Sequence, residues 1–251
     1  MVAGGMRQSI SPILAVEGYS KSYGKKRVVE DVALSVLPGS IFGFVGHNGA
    51  GKTTLIRSIV GALSFDEGDI RICGKSVRTD SVACKRVCAY VPDNPDVYGF
   101  LTGMQYLDYV ADLFCVGSDE RVRRIDGFAK RLGMEDRLGE MVSAYSHGMR
   151  QKLVLIGAFL HKPRLLVLDE PFVGLDPEAA YELRAMMYEL TSRGSAIFLS
   201  SHVLDTVERL CDTIAIIRQG NIIRLGTTDE VRGDESLEQV FLELAREARN
   251  G

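Results

Sequence analysis

The sequence predicts an α/β fold: a mostly parallel sheet with an antiparallel β part near the N-terminus and an all-helical segment inserted in the middle. Two patterns support this class. Short apolar runs alternate with helical patterns on both sides of the middle segment, which is typical of a parallel sheet with crossing helices. From about residue 99 to about residue 161 the apolar period is helical throughout, so this part is predicted to add helices and no strands.

The individual elements follow from period, caps and turn residues. The turn Leu37–Ser40 separates the N-terminal β part from a strand that enters a glycine loop. Thr102 with Gln105 predicts a capping box, and Ser236 with Gln239 predicts the cap of a last amphipathic helix. The predicted strands are 13–16, 28–29, 32–36, 41–45, 165–168, 196–199 and 214–217, and the predicted helices are 52–63, 177–192, 203–211 and those that follow Thr102 and Ser236.

Composition and charge are those of an ordinary globular protein. Hydrophobic residues make up 46% and charged residues 25% of the 251 residues, which excludes a disordered or fibrous chain. The 30 basic and 33 acidic residues give a net charge of −3, so we expect no nucleic-acid partner. The five cysteines are odd in number and scattered, and they are predicted to be reduced core thiols of a cytosolic protein.

Apolar runs long enough for a membrane are missing from the sequence. The longest uninterrupted one, Leu153–Leu160, is far shorter than the about 20 residues that a membrane span needs. The N-terminal part has no apolar stretch of the length of a secretory signal. We therefore expect that the chain does not cross a bilayer by itself.

A glycine-rich loop lies between a predicted strand and a predicted helix. The segment Gly46–Thr53 fills every fixed position of the phosphate-binding P-loop pattern. Its glycines let backbone N–H groups converge on phosphate oxygens, and the helix start adds about half a positive charge. Lys52 adds a full charge for the outer phosphates, and the Thr53 hydroxyl can ligate Mg²⁺. The alternative is a glycine turn that only caps a helix.

Two carboxylates end a second buried strand. The segment Leu165–Glu170 delivers Asp169 and Glu170 at the carboxyl edge, where parallel sheets bind ligands. Asp169 is expected to hold Mg²⁺ through water, and Glu170 to orient or deprotonate the attacking water. A polar strand end is the simpler alternative.

A third segment, Tyr-Ser-His-Gly-Met-Arg-Gln at Tyr145–Gln151, gives the chain its family resemblance. With the two motifs above, it makes the chain resemble the ATP-binding cassette (ABC) ATPase family from about Ile13 to Leu244. The segment looks like the family's signature, which separates ABC proteins from other P-loop ATPases. The resemblance implies contact with an ATP held by a second subunit through Ser146, His147, Gly148 and Met149. A serine cap on a helix is the structural alternative, and a capped helix start is itself an anion site.

Three further positions match the family. Gly174-Leu175-Asp176-Pro177 looks like the D-loop, although Asp176 is also an ideal helix N-cap. His202 follows a strand, like the family's switch histidine, and Tyr23 matches the aromatic residue that stacks on adenine; a structural histidine and a packing tyrosine are the alternatives. The resemblance implies Glu170 and His202 as catalytic residues, and as ATP-binding residues Tyr23, Gly46, His47, Asn48, Gly49, Ala50, Gly51, Lys52, Thr53 and Thr54.

The sequence also departs from the family pattern. Asp93 stands where the family has glutamine after the Tyr-Val-Pro strand. It is shorter and anionic but can reach Mg²⁺ through water, so the implied metal residues are Thr53, Asp93 and Asp169. His147 replaces the usual glycine of the signature. Met149 and the ending from Ser236 are similar to cassettes that serve exporters with a separately encoded permease.

The resemblance implies a P-loop NTPase (RecA-like) core within a single ABC ATPase domain over residues 12–251. Residues 12–95 and 162–225 are predicted to form the nucleotide-binding α/β core. Residues 96–161 are predicted to form the helical subdomain and 226–251 a C-terminal helical tail, after a flexible N-terminus at 1–11.

The implied activity is ATP hydrolysis by the subunit of an ABC transporter. Two such subunits dimerise around two MgATP and drive translocation, as export, through a transmembrane permease gripped near Asp93–Tyr106. The second subunit is another copy or a related chain, and the location is cytoplasmic, on the inner face of the cell membrane. A soluble ABC ATPase that acts on macromolecular assemblies is the main alternative. The signature argues against a P-loop kinase or GTPase, and Glu170 against a non-hydrolysing module.

Overall fold

Strands and helices alternate along residues 11–250, the part of the chain that the computed structural model describes. In chain order the strands are β1 (Leu14–Tyr23), β2 (Lys26–Val36), β3 (Ile41–Val45), β4 (Glu67–Ile72), β5 (Lys75–Ser76), β6 (Cys88–Val91), β7 (Leu165–Asp169), β8 (Ala196–Ser201), β9 (Thr213–Arg218) and β10 (Asn221–Thr227). The helices are α1 (Lys52–Ile59), α2 (Ser81–Arg86), α3 (Gly103–Leu113), α4 (Ser118–Arg131), α5 (His147–Leu160), α6 (Pro177–Ser192), α7 (Leu204–Leu210), α8 (Thr228–Arg232) and α9 (Leu237–Asn250). Two short 3₁₀ turns lie at Glu135–Arg137 and Val142–Ala144.

The strands form two sheets. The larger has six strands in the order β10-β9-β3-β8-β7-β6, of which the five from β9 to β6 are parallel and β10 pairs antiparallel at one edge. The smaller is antiparallel, with four strands in the order β2-β1-β4-β5. Helices α3 to α5 lie between β6 and β7 in the chain. The predicted α/β class, with its parallel sheet, antiparallel part and inserted helices, is confirmed.

The central strands β3, β7 and β8 are buried along their whole length. Continuous apolar strands are what a parallel sheet covered on both faces requires. Alternate residues of β7 face two separate cores: Leu166 and Leu168 pack with α5 and α6, and Leu165 and Val167 pack with α1 and the smaller sheet. The sheet therefore holds the two halves of the hydrophobic core together.

Several helix ends follow the predicted local chemistry. The Thr102 hydroxyl accepts from the Gln105 amide at 3.2 Å, and the Gln105 side chain accepts from the Thr102 amide at 2.9 Å. The Gln239 amide donates to the Ser236 hydroxyl at 3.3 Å before α9. Helix α6 has the predicted bounds because the Asp176 carboxylate caps it through the Ala179 amide at 2.8 Å. The caps at Thr102, Ser236 and Asp176 are thus confirmed.

Other predictions about elements were wrong. Helix α1 ends at Ile59, before the predicted residue 63, because Gly61 has a φ of 68° and terminates the helix. The β-like runs at 28–29 and 32–36 are one strand, β2. The elements β4, β5, α2 and α8 were not predicted from the sequence. Strand β10 (Asn221–Thr227) was not predicted from the sequence either. 

The predictions on cysteines and termini had mixed outcomes. Cys84, Cys88 and Cys211 are buried free thiols, but Cys73 and Cys115 are exposed free thiols and so are not core residues. The predicted flexible segment 1–11 lies outside the described residues except for residue 11. Within residues 11–250, no helix is both long enough and apolar enough to span a membrane.

Substitution of Phe198 tests how tightly the core beside the larger sheet is packed. Its ring is fully buried, with ring centroids 5.6 Å from Phe42 and 5.4 Å from Phe44. Phe198→Ala should lower the free energy of unfolding by about 3–5 kcal/mol, because it opens a cavity at the middle of the sheet. Denaturant unfolding measures this. Tyr181→Ala, at a residue that is 65% exposed, is the matched control and should change stability by about 0.5 kcal/mol or less. Equal losses in the two variants would contradict the placement of Phe198.

Candidate functional site

The candidate site lies where four adjacent parallel strands end. In the larger sheet β3, β8, β7 and β6 are neighbours. The loop Gly46–Thr53 follows β3, Ser201–His202 lie at the end of β8, Asp169–Glu170 end β7, and Asp93 follows β6. Because parallel strands present their carboxyl ends at one edge, these four segments meet.

A cavity of about 320 Å³ opens between these segments. Six of the ten predicted ATP-binding residues and all three carboxylates line it, together with one valine of β2. The lining residues are Val28, Asn48, Gly49, Gly51, Lys52, Thr53, Thr54, Asp93, Asp169 and Glu170. The structure thus brings both predicted motifs and Asp93 to a single concave site.

Glycine is required at several points of the loop. Gly49 and Gly51 have φ values of 81° and 111°, in the region that side chains disfavour. A Cβ on Gly46 would lie 2.5 Å from the carbonyl oxygen of Ile217, so a side chain there would push the loop off β9. The loop therefore curls tightly around the cavity with its amides near the start of α1.

Lys52 is buried inside this loop. Its ammonium donates to the carbonyl oxygens of Gly46 at 2.5 Å and His47 at 3.3 Å. Burial lowers the pKa of Lys52, and the nearby carboxylates Glu170 and Asp169 oppose that shift. The cavity thus has a cationic wall on the loop side and an anionic wall on the β7 side.

Asp169 is a buried carboxylate, only 3% exposed. It accepts hydrogen bonds from the hydroxyl of Ser200 and, at 3.3 Å, from that of Thr53. Burial raises the pKa of Asp169; the two hydroxyls oppose the shift, and Glu170 and Asp93 add to it. A cation placed among these carboxylates would relieve their repulsion.

A magnesium ion fits this arrangement only with help from a ligand. Among residues 11–250, no group of three or more His, Cys, Asp or Glu side chains could hold a metal ion. The Thr53 hydroxyl lies 3.3 Å from Asp169, and Asp93 lines the same cavity. Mg²⁺ is commonly bound in this way, by one or two protein ligands completed by phosphate oxygens and water.

Glu170 and His202 form a pair beside Asp169. The Glu170 Oε1 atom lies 2.8 Å from His202 Nδ1. The Glu170 Oε2 atom accepts from the Ser201 hydroxyl at 3.2 Å and from the His202 amide at 3.3 Å. Glu170 has a φ of 50°, a strained conformation that occurs often at functional sites. The carboxylate is therefore held in one orientation, and the His202 side chain is 56% exposed.

The signature segment lies outside this cavity. Ser146 caps α5 by accepting from the Met149 amide at 3.2 Å, as the structural alternative expected. Ser146 and His147 are exposed, and Met149 is partly buried against the core. In the part of the chain that the structure describes, none of Ser146, His147, Gly148 and Met149 lines the cavity.

The signature packs tightly on the D-loop. A Cβ on Gly148 would overlap the carbonyl oxygen of Gly174, so the two backbones are in direct contact. Lys152 of α5 forms an ion pair with the Asp176 carboxylate at 2.6 Å. The hydrogen bond from the Ala179 amide, and then Lys152, lower the pKa of Asp176. Asp176 therefore caps α6 and ties α6 to α5.

Four predicted ATP-binding residues do not line the cavity. Tyr23 is 50% exposed at the end of β1, with its ring centroid 5.5 Å from the Lys21 ammonium. Gly46 and Ala50 are buried and anchor the loop: Ala50 accepts at its carbonyl from the Gly220 amide at 3.0 Å. The His47 ring packs against Phe241 of α9 at 4.6 Å. A role of Tyr23 in adenine stacking stays a prediction.

Ser200 and Ser201 also belong to the site but were not predicted from the sequence. Their hydroxyls hold Asp169 and Glu170, which the chain order alone does not reveal. A signal was present, because both serines directly precede His202 at the end of a buried strand. Val28 was missed as well, and nothing in its local sequence distinguishes it from other strand valines.

The fold and this site define a class of protein. A strand, a P-loop and a helix facing a buried Asp-Glu pair on a nearby parallel strand form the site of a P-loop nucleoside triphosphatase. The family model described as ABC transporter matches residues 29–173. The chain belongs to the ABC transporter family, as an ATP-binding subunit, and the members of this family are ATPases.

Known proteins resemble the chain over nearly its whole length. The ABC-type transporter ATP-binding protein EcsA of Bacillus subtilis is 34% identical over 240 residues, which are 94% of this chain and 97% of EcsA. A solved ATP-binding subunit of an ABC transporter superposes with a TM-score of 0.90 at 35% identity, covering 93% of this chain and 99% of that one. The cbiO1 protein of Clostridium perfringens, described as part of the ABC transporter complex cbiONQ, gives 0.76 at 27% identity, over 94% of this chain and 96% of its own.

The buried carboxylate of Asp169 should make stability depend on pH. Because burial raises its pKa in the folded state, ionisation of Asp169 destabilises the fold above that raised pKa, and the penalty is lost as the pH falls through it. Asp169→Asn should raise the melting temperature of the nucleotide-free protein by about 2–5 °C at neutral pH. The difference should shrink toward acidic pH.

Differential scanning calorimetry across pH checks this. Asp229→Asn, at a side chain that is 90% exposed, is the control and should show little change at any pH. A melting temperature of Asp169→Asn at or below that of the wild type at neutral pH would contradict the electrostatic argument.

Proposed function

We propose that the chain is the ATP-hydrolysing subunit of an ABC transporter, which dimerises around two MgATP to drive translocation, as export, through a separate membrane permease. The observation that carries the proposal is the cavity lined by both Lys52 and Glu170, in which His202 contacts the Glu170 carboxylate. A cation for the phosphates and a fixed base for the water are the parts that phosphoryl transfer to water needs.

We assign each group of residues in and beside the cavity a separate role in ATP hydrolysis. The loop amides and Lys52 bind the phosphates, since the loop residues and Lys52 line the cavity at the start of α1. Glu170 orients and deprotonates the attacking water. Its contact with Nδ1 of His202 leaves Nε2 available to the γ-phosphate. Thr53, Asp169 and Asp93 would hold Mg²⁺, which neutralises phosphate charge when bound.

A second subunit completes the site in this proposal. Ser146 and His147 are exposed and do not line their own cavity. The start of α5 presents backbone amides and the positive end of a helix dipole, which suits a phosphate. Ser146 to Met149 therefore serve the nucleotide of the partner subunit, which is another copy or a related chain.

The membrane permease has a candidate docking surface. An apolar groove of about 410 Å³ runs between β6, α3 and α5, with Tyr106, Leu113 and Phe114 on its wall. Near it in sequence, Tyr98 and Phe100 are 57% and 71% exposed and contact each other at 5.6 Å between ring centroids. Exposed apolar patches of this kind mark interaction sites. In the proposed division into a core (12–95 and 162–225), a helical subdomain (96–161) and a tail (226–251), the groove lies between core and subdomain.

The proposed location follows from the permease, and the proposed direction of transport follows from two sequence features. A subunit that binds a permease through this groove is peripheral, on the cytoplasmic face of the cell membrane. The similar protein cbiO1 is described as part of a transporter complex, which supports an assembly of several chains for this subunit as well. Export is supported by Met149 and by the C-terminal segment from Ser236, because both are similar to the corresponding positions of cassettes that serve exporters.

Glu170→Gln tests the hydrolytic role. The variant should lose ATPase activity by about 100-fold or more, because an amide cannot accept the proton of water. With MgATP it should accumulate as a dimer in size-exclusion chromatography with light scattering. Lys52→Ala should neither bind MgATP nor dimerise.

Glu189→Gln is the control for charge removal, since its side chain is 52% exposed on α6. It should retain wild-type turnover. Undiminished hydrolysis by Glu170→Gln would refute the assignment of the base, and normal MgATP binding by Lys52→Ala would refute the phosphate site.

Copurification tests the permease. N-terminally tagged Glu170→Gln protein, purified with ATP from detergent-solubilised membranes, should bring down a polytopic membrane protein in near-equal amount. Adding Leu113→Glu, which places a charge on the apolar groove at a side chain that is 63% exposed, should abolish that association and leave the ATP-dependent dimer intact. A dimer without any membrane partner would favour the soluble ABC ATPase instead.

A further inference from the structure

Helix α9 is tied to the core at two points. At its start, the Leu237 amide donates to the Glu208 carboxylate of α7 at 2.8 Å. Further along, the Leu244 carbonyl accepts from the Arg218 guanidinium at the end of β9, at 2.5 Å. The helix is thereby held against two elements that lead to the nucleotide cavity, because α7 follows His202 and β9 neighbours β3.

Between these two points, Phe241 reaches the P-loop. Its ring lies 4.6 Å from the His47 ring, centroid to centroid, at an interplanar angle of 57°. The two rings enclose a small apolar space with Ile217, Ile223 and Leu244. This tilted geometry is a favourable one for aromatic pairs.

His47 is well placed to transmit this contact. Its backbone carbonyl accepts from the Lys52 ammonium at 3.3 Å, so the residue that touches α9 also helps to hold the phosphate-binding lysine. Residues 47 to 49 are exposed, whereas the flanking Gly46 and Ala50 are anchored on the sheet. The Phe241 ring therefore supports the loop at its exposed part.

We propose that Phe241 is a positioning residue for the phosphate-binding loop and acts through the imidazole of His47. Helix α9 then connects the loop to α7, the helix that follows His202 in the chain. The inference rests on the proposed function, because it assigns Phe241 a part in nucleotide binding. A purely structural Phe241 would affect folding stability and leave the affinity of the folded protein for nucleotide unchanged.

MgADP is the probe for the test, since it offers phosphates to the loop without requiring hydrolysis or a second subunit. Its Kd is measured by titration for the wild type, Phe241→Ala, His47→Ala and the double variant. Phe241→Ala should raise the Kd by about threefold to tenfold, the range expected of an aromatic contact. The double variant should bind no more weakly than the weaker single variant, because both substitutions break one contact.

Three further variants separate positioning from packing. Val240→Ala removes a neighbouring side chain that packs on the same core but is not part of the space around His47, and its Kd should stay within about twofold of wild type. Phe241→Tyr keeps the ring and should restore the wild-type Kd. Phe241→Leu keeps apolar bulk without the ring, and should still raise the Kd; it decides the matter where Phe241→Ala does not fold.

Equal Kd values for the Phe241→Ala and Val240→Ala variants, additive effects in the double variant, or a wild-type Kd for a folded Phe241→Leu would each overturn the inference. Those results would leave the proposed function intact. A wild-type protein that does not bind MgADP would instead overturn the phosphate site itself, and with it the inference.

Discussion

Strand β8 pairs with β3 and β7 in a parallel register that sets Ser201 level with Val45 and Ser200 level with Asp169. The chemistry of the site depends on this register. It puts a hydroxyl beside each carboxylate and brings His202 to Glu170 across a separation of 32 residues in the chain. A shift by one residue would turn every side chain of β8 to the opposite face. The two apolar cores that cover the sheet oppose such a shift, because they bury alternate residues of each strand.

The site is also the part of the fold that packing alone would not favour. It buries Lys52 and Asp169, and it keeps Glu170 at a positive φ. Each of these features costs free energy in the absence of a ligand. The charges lie on opposite walls of one cavity, so their mutual attraction offsets part of the loss of water. The proposed ligand, ATP with Mg²⁺, would offset the remaining imbalance because it brings both negative and positive charge into the cavity.

Local chemistry made much of the fold predictable from the sequence. Helix α6 and strand β3 have the predicted bounds, because a capping Asp-Pro pair and a five-residue apolar run need no distant partner. The P-loop could also be predicted, since its glycines are required by the backbone conformation of the loop itself. Strand β4 was missed because its polar residues are stabilised by long-range pairing with β1. Strand β10 forms a hairpin with β9 through the two-residue turn Gln219-Gly220, with φ values of 49° and 86°. This local turn signal was present in the sequence and was not used. The contacts that define the site, Glu170 with His202 and His47 with Phe241, join distant parts of the chain, and local patterns carry no trace of them.

The contact between Gly148 and Gly174 leaves no room for even a methyl group. Because the two backbones already touch, the start of α5 cannot advance toward the D-loop without displacing Gly174. The ion pair between Lys152 and Asp176 restrains the two helices against separation as well. The start of α5 is thus connected to the D-loop at two points, Gly174 and Asp176. The helical segment between β6 and β7 is therefore coupled by direct contact to the segment that follows β7.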